Sequence, residues 1–117
     1  MSSDELRKRT KAFALRVIAL GDALPNGTAG RMIKGQLVRA GTSVGANYRA
    51  ATRAKSTADF IHKMGTVEEE ADESMYWMEL VVEAKLFSKG EVSELYDEAD
   101  QILAMVVSSI KTAKKRK

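Results

Sequence analysis

The 117-residue sequence has no cysteine. Disulfides, thiolate zinc sites, iron–sulfur clusters and cysteine nucleophiles are therefore excluded from the chain, and a reducing cytoplasm is its simplest home. Histidine occurs once, as His62, and proline once, as Pro25. One histidine is too few for the two Glu-x-x-His pairs of a di-iron or di-manganese bundle, and without an orienting network it makes no Ser-His-Asp triad. Asp59-x-x-His62 is the nearest approach to a metal pair, and at helical spacing it lies well off the apolar stripe where a bundle ligand would stand. Glycine-rich phosphate loops are missing too. The acidic run Glu68-Glu69-Glu70-Ala71-Asp72-Glu73 spreads around its helix without the loop that calcium sites require. No run of about 18 apolar residues is present to span a membrane. The residues before Phe13 do not read as a signal peptide, because Asp4 and Glu5 precede the basic cluster and Arg16 and Gly21-Asp22 interrupt the apolar stretch after it. These absences predict a protein without cofactor, metal or catalytic site.

What remains is an ordinary globular composition, 44% hydrophobic and 30% charged, of a length that makes one domain over residues 1–117. The net charge of +3 conceals a segregated pattern. Residues 1–55 carry 11 Lys or Arg against 3 Asp or Glu, residues 56–110 carry 3 against 13, and residues 111–117 add five basic residues.

Apolar residues recur at three-and-four spacing in four segments, with no strand-like alternation, which predicts an all-α, antiparallel up-down-up-down four-helix bundle. The first helix, about 4–23, aligns Leu6, Thr10, Phe13, Val17, Leu20 and Leu24 and stops at Leu24-Pro25-Asn26-Gly27. The second, about 29–54 with Thr28 as N-cap, aligns Ile33, Leu37, Ala40, Val44, Tyr48 and Ala51. On its other side Arg31, Arg39, Arg49 and Arg53 fall within about 80° of one another. Ser56-Thr57-Ala58-Asp59 and Ser88-Lys89-Gly90-Glu91 have capping-box spacing and open helices of about 57–87 and 89–113, followed by a basic tail at 111–117.

Two features point beyond a lone bundle. Trp77, Leu80 and Phe87 project away from the line of Phe60, Met64, Val67, Ala71, Ser74, Met78 and Val81 that makes the main stripe of helix 3. Such a helix is buried on more than one side, so we expect either an oligomer interface here or a fourth helix that wraps further round. Gly41 and Gly45 sit inside helix 2, where each costs close to 1 kcal/mol relative to alanine. Close approach of another helix would offset that cost, with a kink or local binding site as the alternative. Ser43 and Asn47 then need hydrogen-bond partners from the neighbouring helix.

Arg7, Lys8, Arg9, Lys11 and Arg16, the helix 2 arginines Arg31, Arg39, Arg49 and Arg53, and the tail residues Lys111, Lys114, Lys115, Arg116 and Lys117 form a footprint suited to the phosphate backbone of RNA or DNA. The tail lysines also suit a solvated helix end. Phe13 and Tyr48 are the aromatics of the basic half and both lie on apolar stripes, which argues against base stacking. Glu68, Asp72, Glu79 and Glu83 stack along helix 3, either as a solvated face or as the electrostatic complement of the arginine face. The alternative to nucleic-acid binding is a protein–protein adaptor whose charged faces serve assembly or docking.

Gln36-Leu37-Val38-Arg39-Ala40-Gly41-Thr42-Ser43-Val44-Gly45-Ala46-Asn47-Tyr48-Arg49 resembles the signature of four-helix bundle proteins encoded in intervening sequences of bacterial 23S ribosomal RNA genes. Ala58-Asp59-Phe60-Ile61-His62-Lys63-Met64 and Glu70-Ala71-Asp72-Glu73-Ser74-Met75-Tyr76-Trp77-Met78-Glu79-Leu80 resemble the third helix of the same family. The resemblance implies a ring-forming bundle, a pentamer as in the similar accessory variability determinant proteins of diversity-generating retroelements, which bind nucleic acid and associate with a reverse transcriptase. The acidic second half departs from those basic relatives. Gln36, Arg39, Ser43 and Asn47 match the signature and are assigned, with Gly41, Gly45, Trp77 and Leu80, to packing or subunit contacts.

Overall fold

A computed structural model describes residues 3–116. Four helices make an elongated bundle of 47 × 22 × 20 Å: α1 Ser3–Ala23, α2 Thr28–Ala51, α3 Thr57–Glu83 and α4 Lys89–Lys115. Each helix packs on its neighbours in sequence, and the thinner seam between α1 and α4 closes the square, with no close backbone approach across either diagonal among the described residues. Short connections force this antiparallel order.

The stripes read from the sequence become the core. Phe13 and Val17 of α1, Leu37 and Val44 of α2, Met64, Val67, Met78 and Val81 of α3, and Ile102 and Val106 of α4 are fully enclosed. Burying an aliphatic or aromatic side chain of this size stabilises the fold by about 1.5–3 kcal/mol. The two polar residues in the core are satisfied locally, since Thr10 donates to the Arg7 carbonyl at 3.1 Å and Ser74 to the Glu70 carbonyl at 2.8 Å.

The helix ends show where local chemistry decided matters. Gly27, not Thr28, is the N-cap of α2, and no side chain caps it. Ser56 caps α3 by accepting the Asp59 amide at 3.0 Å, while the Asp59 carboxylate reaches back past Ser56 to the Lys55 amide at 3.1 Å. The Lys63 ammonium, at 2.8 Å, and that amide hold the Asp59 carboxyl below its ordinary range. Ser88 caps α4 by accepting the Glu91 amide at 3.3 Å, but the Glu91 carboxylate accepts the Ser88 hydroxyl at 2.8 Å rather than the backbone amide that a full capping box uses. Helix α3 stops at Glu83, short of Phe87, because Lys85 adopts φ 59°. The Leu86 amide then bonds the Val81 carbonyl and the Lys85 amide bonds the Val82 carbonyl, which is a Schellman motif with lysine in the place that glycine usually takes.

Gly41 faces Val17 across the α1–α2 contact, and a Cβ built there would lie 2.6 Å from one Val17 methyl and 2.8 Å from the other. Val17 is fully buried and β-branched, so it has no rotamer into which to retreat. A Cβ at Gly45 would lie 3.3 Å from the Thr10 carbonyl oxygen. Together with Gly21 of α1, where a Cβ would lie 2.6 Å from a Val38 methyl of α2, these glycines let the helix pair pack closely. The hydrogen bond expected for Asn47 comes from its own helix instead, with its amide donating to the Ser43 carbonyl at 2.8 Å.

Gly41→Ala should lower stability by about 1–3 kcal/mol through overpacking, whereas Gly35→Ala, where a Cβ meets nothing within 4 Å, should raise it by up to about 1 kcal/mol. Urea unfolding of the two variants reads the contrast, and a stable Gly41→Ala protein would refute the close-approach account. Lys85→Gly should stabilise by about 0.5–1 kcal/mol by relieving the left-handed backbone. A midpoint in urea at or below that of the parent would show that Lys85 carries no strain.

Candidate nucleic-acid interface

The antiparallel order brings the N-termini of α1 and α3 and the C-termini of α2 and α4 to one end of the bundle. Residues 3–11, 45–60 and 105–116 meet there, and they contain 11 Lys or Arg against 3 Asp or Glu. The segregation along the chain has become segregation along the long axis. Acidic side chains populate the middle and far end, chiefly on α3 and α4.

A groove of about 490 Å³ runs between α1 and α2 at the basic end. Arg7 and Lys11 stand one turn apart on α1, and Arg49 and Arg53 one turn apart on α2, so the four cations flank it from both sides. Its lining includes Ala14, Thr42, Gly45 and Ala46, small residues that leave the space open. Arg7 has an exposed partner, Asp4 at 3.3 Å, in a pair of the kind worth little in water. Lys11, Arg49 and Arg53 enter no ion pair among the described residues. Backbone approach at Gly45 and Thr10 thus sets four cations around a shallow channel, an arrangement able to follow a phosphate backbone.

The remaining candidate residues divide. Arg9 turns to α4, where its Nε and Nη2 grip Glu98 at 3.0 and 2.6 Å and Nη2 also donates to Gln101 at 2.8 Å. Arg39 turns to α3, with Nη1 on Glu70 at 3.1 Å and Nη2 on Glu73. Of the arginine face only Arg39 finds an acidic complement among the described residues, and its partners are Glu70 and Glu73 rather than the Glu68, Asp72, Glu79 and Glu83 line. Glu79 instead accepts the Tyr96 hydroxyl at 2.8 Å. Arg31 is 18 residues from Arg49, about 27 Å along α2 and near the other end. Arg16 and Lys8 are exposed and lie outside the groove. Lys111, Lys114 and Lys115 are exposed on the last turns of α4, Arg116 follows as its C-cap, and Lys117 lies outside the described residues.

The packing candidates gather on the α2–α3 seam as well as the α1–α2 contact. Gln36 is exposed and accepts a long bond from Arg39 Nε at 3.4 Å. Glu73 accepts the Trp77 indole N–H at 3.0 Å, and this bond and then Arg39 keep its carboxyl below the ordinary range. Trp77 and Leu80 are half-buried against the core, and the Tyr76 and Trp77 rings meet in a T-shaped contact with centroids 5.1 Å apart while Tyr76 remains 52% exposed. Met32, 53% exposed, lies two turns before Arg39 on α2 and so runs level with Trp77 to Leu80 on antiparallel α3. Met32 and Tyr76 escaped the sequence reading because each is a single apolar residue off its stripe. Their alignment across the seam depends on helix register.

No helix among the described residues is long and apolar enough to cross a membrane. No curated protein matches this chain. A solved structure from Bacteroides thetaiotaomicron, of a protein with unknown function from the S23 ribosomal protein family, is similar at 32% identity with a TM-score of 0.89, covering 95% of this chain and 99% of its own. The sequence model of the 23S rRNA-intervening sequence proteins matches residues 4–108, and with the bundle geometry this shows that the chain belongs to the 23S rRNA-intervening sequence protein family.

Proposed function

We propose that this chain is a non-enzymatic nucleic-acid-binding protein that works as a homo-oligomer, contacting RNA or DNA through the α1–α2 groove and the basic end of the bundle. The observation that carries the reading is the groove itself. Arg7, Lys11, Arg49 and Arg53 converge on it from two helices, and three of the four have no acidic partner among the described residues. Leaving cations unpaired at the surface keeps them available for phosphate, and each contact releases a condensed counterion. Self-association is supported by the apolar group of Met32, Tyr76, Trp77 and Leu80 on the α2–α3 seam. A ring, and a pentamer in particular, follows from the family resemblance. An accessory role beside a nucleic-acid enzyme such as a reverse transcriptase belongs to the same resemblance. Assembly through the α2–α3 seam leaves the α1–α2 groove open, so the two activities are compatible in one particle.

Binding to a generic RNA hairpin at low salt should fall steeply with salt, with a slope of log K against log salt near −4 for about four phosphate contacts per protomer. Replacing Arg49 and Arg53 together by Gln should reduce that slope by about 2 without unfolding the protein, whereas Arg31→Gln should leave it close to the parent value. Undetectable binding at low salt, or binding indifferent to salt, refutes the nucleic-acid reading and favours an adaptor. Light scattering should give a mass that is a multiple of 12.8 kDa, reduced by Leu80→Glu combined with Tyr76→Glu. A parent protein that is monomeric at all concentrations removes the oligomer.

A further inference from the structure

A second cavity opens at the basic end, where all four helices contribute to its walls, and its volume of about 740 Å³ is that of a small-molecule site. It meets the α1–α2 groove at Thr52, which lines both. The walls differ in chemistry. Phe60 and Met105, both half-buried, give an apolar side. Ser108, Ser109 and Thr112 share one face of α4 at three- and four-residue spacing, and none of their hydroxyls makes a hydrogen bond to a described residue. Lys55 and Arg116 stand in the lining and enter no side-chain ion pair among the described residues, although Lys55 lies close enough to the Asp59 carboxylate to help hold it ionised.

Tyr48 shows that the cavity is more than a gap between helix ends. The residue is only 4% exposed and lines the cleft, yet its hydroxyl bonds to no described residue. No fully enclosed side-chain oxygen or nitrogen lacks a partner among the described residues, so this hydroxyl keeps contact with the open space of the cleft. A phenol held there in an otherwise apolar stripe needs an acceptor, from water or from a ligand. Phenylalanine would pack the same core without that demand.

We propose that the end cleft binds a nucleoside phosphate, with the base against Phe60 and Met105, sugar and base edges on Tyr48 and the α4 hydroxyls, and the phosphate on Lys55 and Arg116. A simple anion would leave the apolar wall unused, and an apolar ligand would make no use of the two cations and the hydroxyls at the rim. Burial pushes the Tyr48 phenol above its ordinary value, so it remains a neutral O–H donor throughout the physiological range. The nucleotide is either free or the unpaired residue of a strand whose phosphates follow the groove to Thr52. This extends the nucleic-acid reading to a neighbouring site and can fail separately from it.

The test pairs calorimetry with adenosine 5′-monophosphate and anisotropy with two RNA hairpins, one blunt and one carrying a single unpaired 3′ residue. One site per chain is expected, with affinity reduced about threefold to tenfold in Tyr48→Phe, which loses one hydrogen bond, and further in Lys55→Gln combined with Arg116→Gln. Arg49→Gln with Arg53→Gln should leave the mononucleotide affinity unchanged. Saturable binding of the mononucleotide identifies a free nucleotide as the occupant. Preference for the overhang alone, lost in Tyr48→Phe, identifies a strand residue. Mononucleotide binding without hairpin binding upholds the cleft while removing the groove. The proposal is overturned if neither probe engages, or if both the Tyr48 and the double cation variants, folded by circular dichroism, bind as the parent does.

Discussion

The close contact between α1 and α2 governs what this bundle can present. Gly41 lets Val17 enter the space where a side chain would be, and Gly45 admits the Thr10 backbone. Two glycines in a helix interior are locally unfavourable by about 1 kcal/mol each, and the packed contact offsets this. Small residues at the contact also have a consequence at the surface. Where the backbones meet over Gly45 and Ala46, no side chain fills the outer angle between the helices, and the groove is that angle. The residues that allow packing thus create the channel that Arg7, Lys11, Arg49 and Arg53 flank.

Topology then converts a linear charge pattern into a spatial one. Because neighbouring helices run antiparallel, the basic N-terminal segment meets the basic end of α2 and the basic end of α4. Like charges gathered in this way repel, and the basic end should be the less stable half of the rod on electrostatic grounds. The bundle accepts this in one place and cancels it elsewhere. Arg9 is neutralised by Glu98 and closes the thin α1–α4 seam, while Arg39 is neutralised by Glu70 and Glu73 and stitches α2 to α3. Structural arginines occupy the seams with acidic neighbours, and those facing α1 from α2 have none among the described residues.

The fold was almost wholly legible in the sequence, since the apolar stripes of α1 and α2 proved buried residue for residue. Periodicity reports burial directly, so this part required no knowledge of the partner helix. The end of α3 was not legible because Lys85 holds a left-handed position that glycine usually announces. The arginine face was only half legible. Its members lie on one side of α2, but a span of about 80° is wide enough for Arg39 to reach α3 while Arg49 and Arg53 face α1. Which helix lies on which side is a tertiary fact, and no spacing within α2 encodes it. The end cleft was invisible for the same reason, as Tyr48 reads as a core residue until Phe60, Met105 and Ser109 are brought around it.

The separation between the apolar seam and the cationic groove bears on how the protein would use both. Met32, Tyr76, Trp77 and Leu80 lie on the α2–α3 side, and Arg39 with its two glutamates continues that surface without net positive charge. In the proposed assembly, joining copies there would avoid pressing one basic end against another. Each added copy of such an assembly would contribute an unobstructed groove at fixed spacing. Individually, a groove of four cations supports only weak, salt-sensitive contacts with phosphate. Several on one rigid particle would act on a single polymer at a high effective concentration, and avidity would exceed the affinity of any one groove. The internal pairing of Arg39 would suit such an assembly, because an unpaired guanidinium at the seam would have to be desolvated on association.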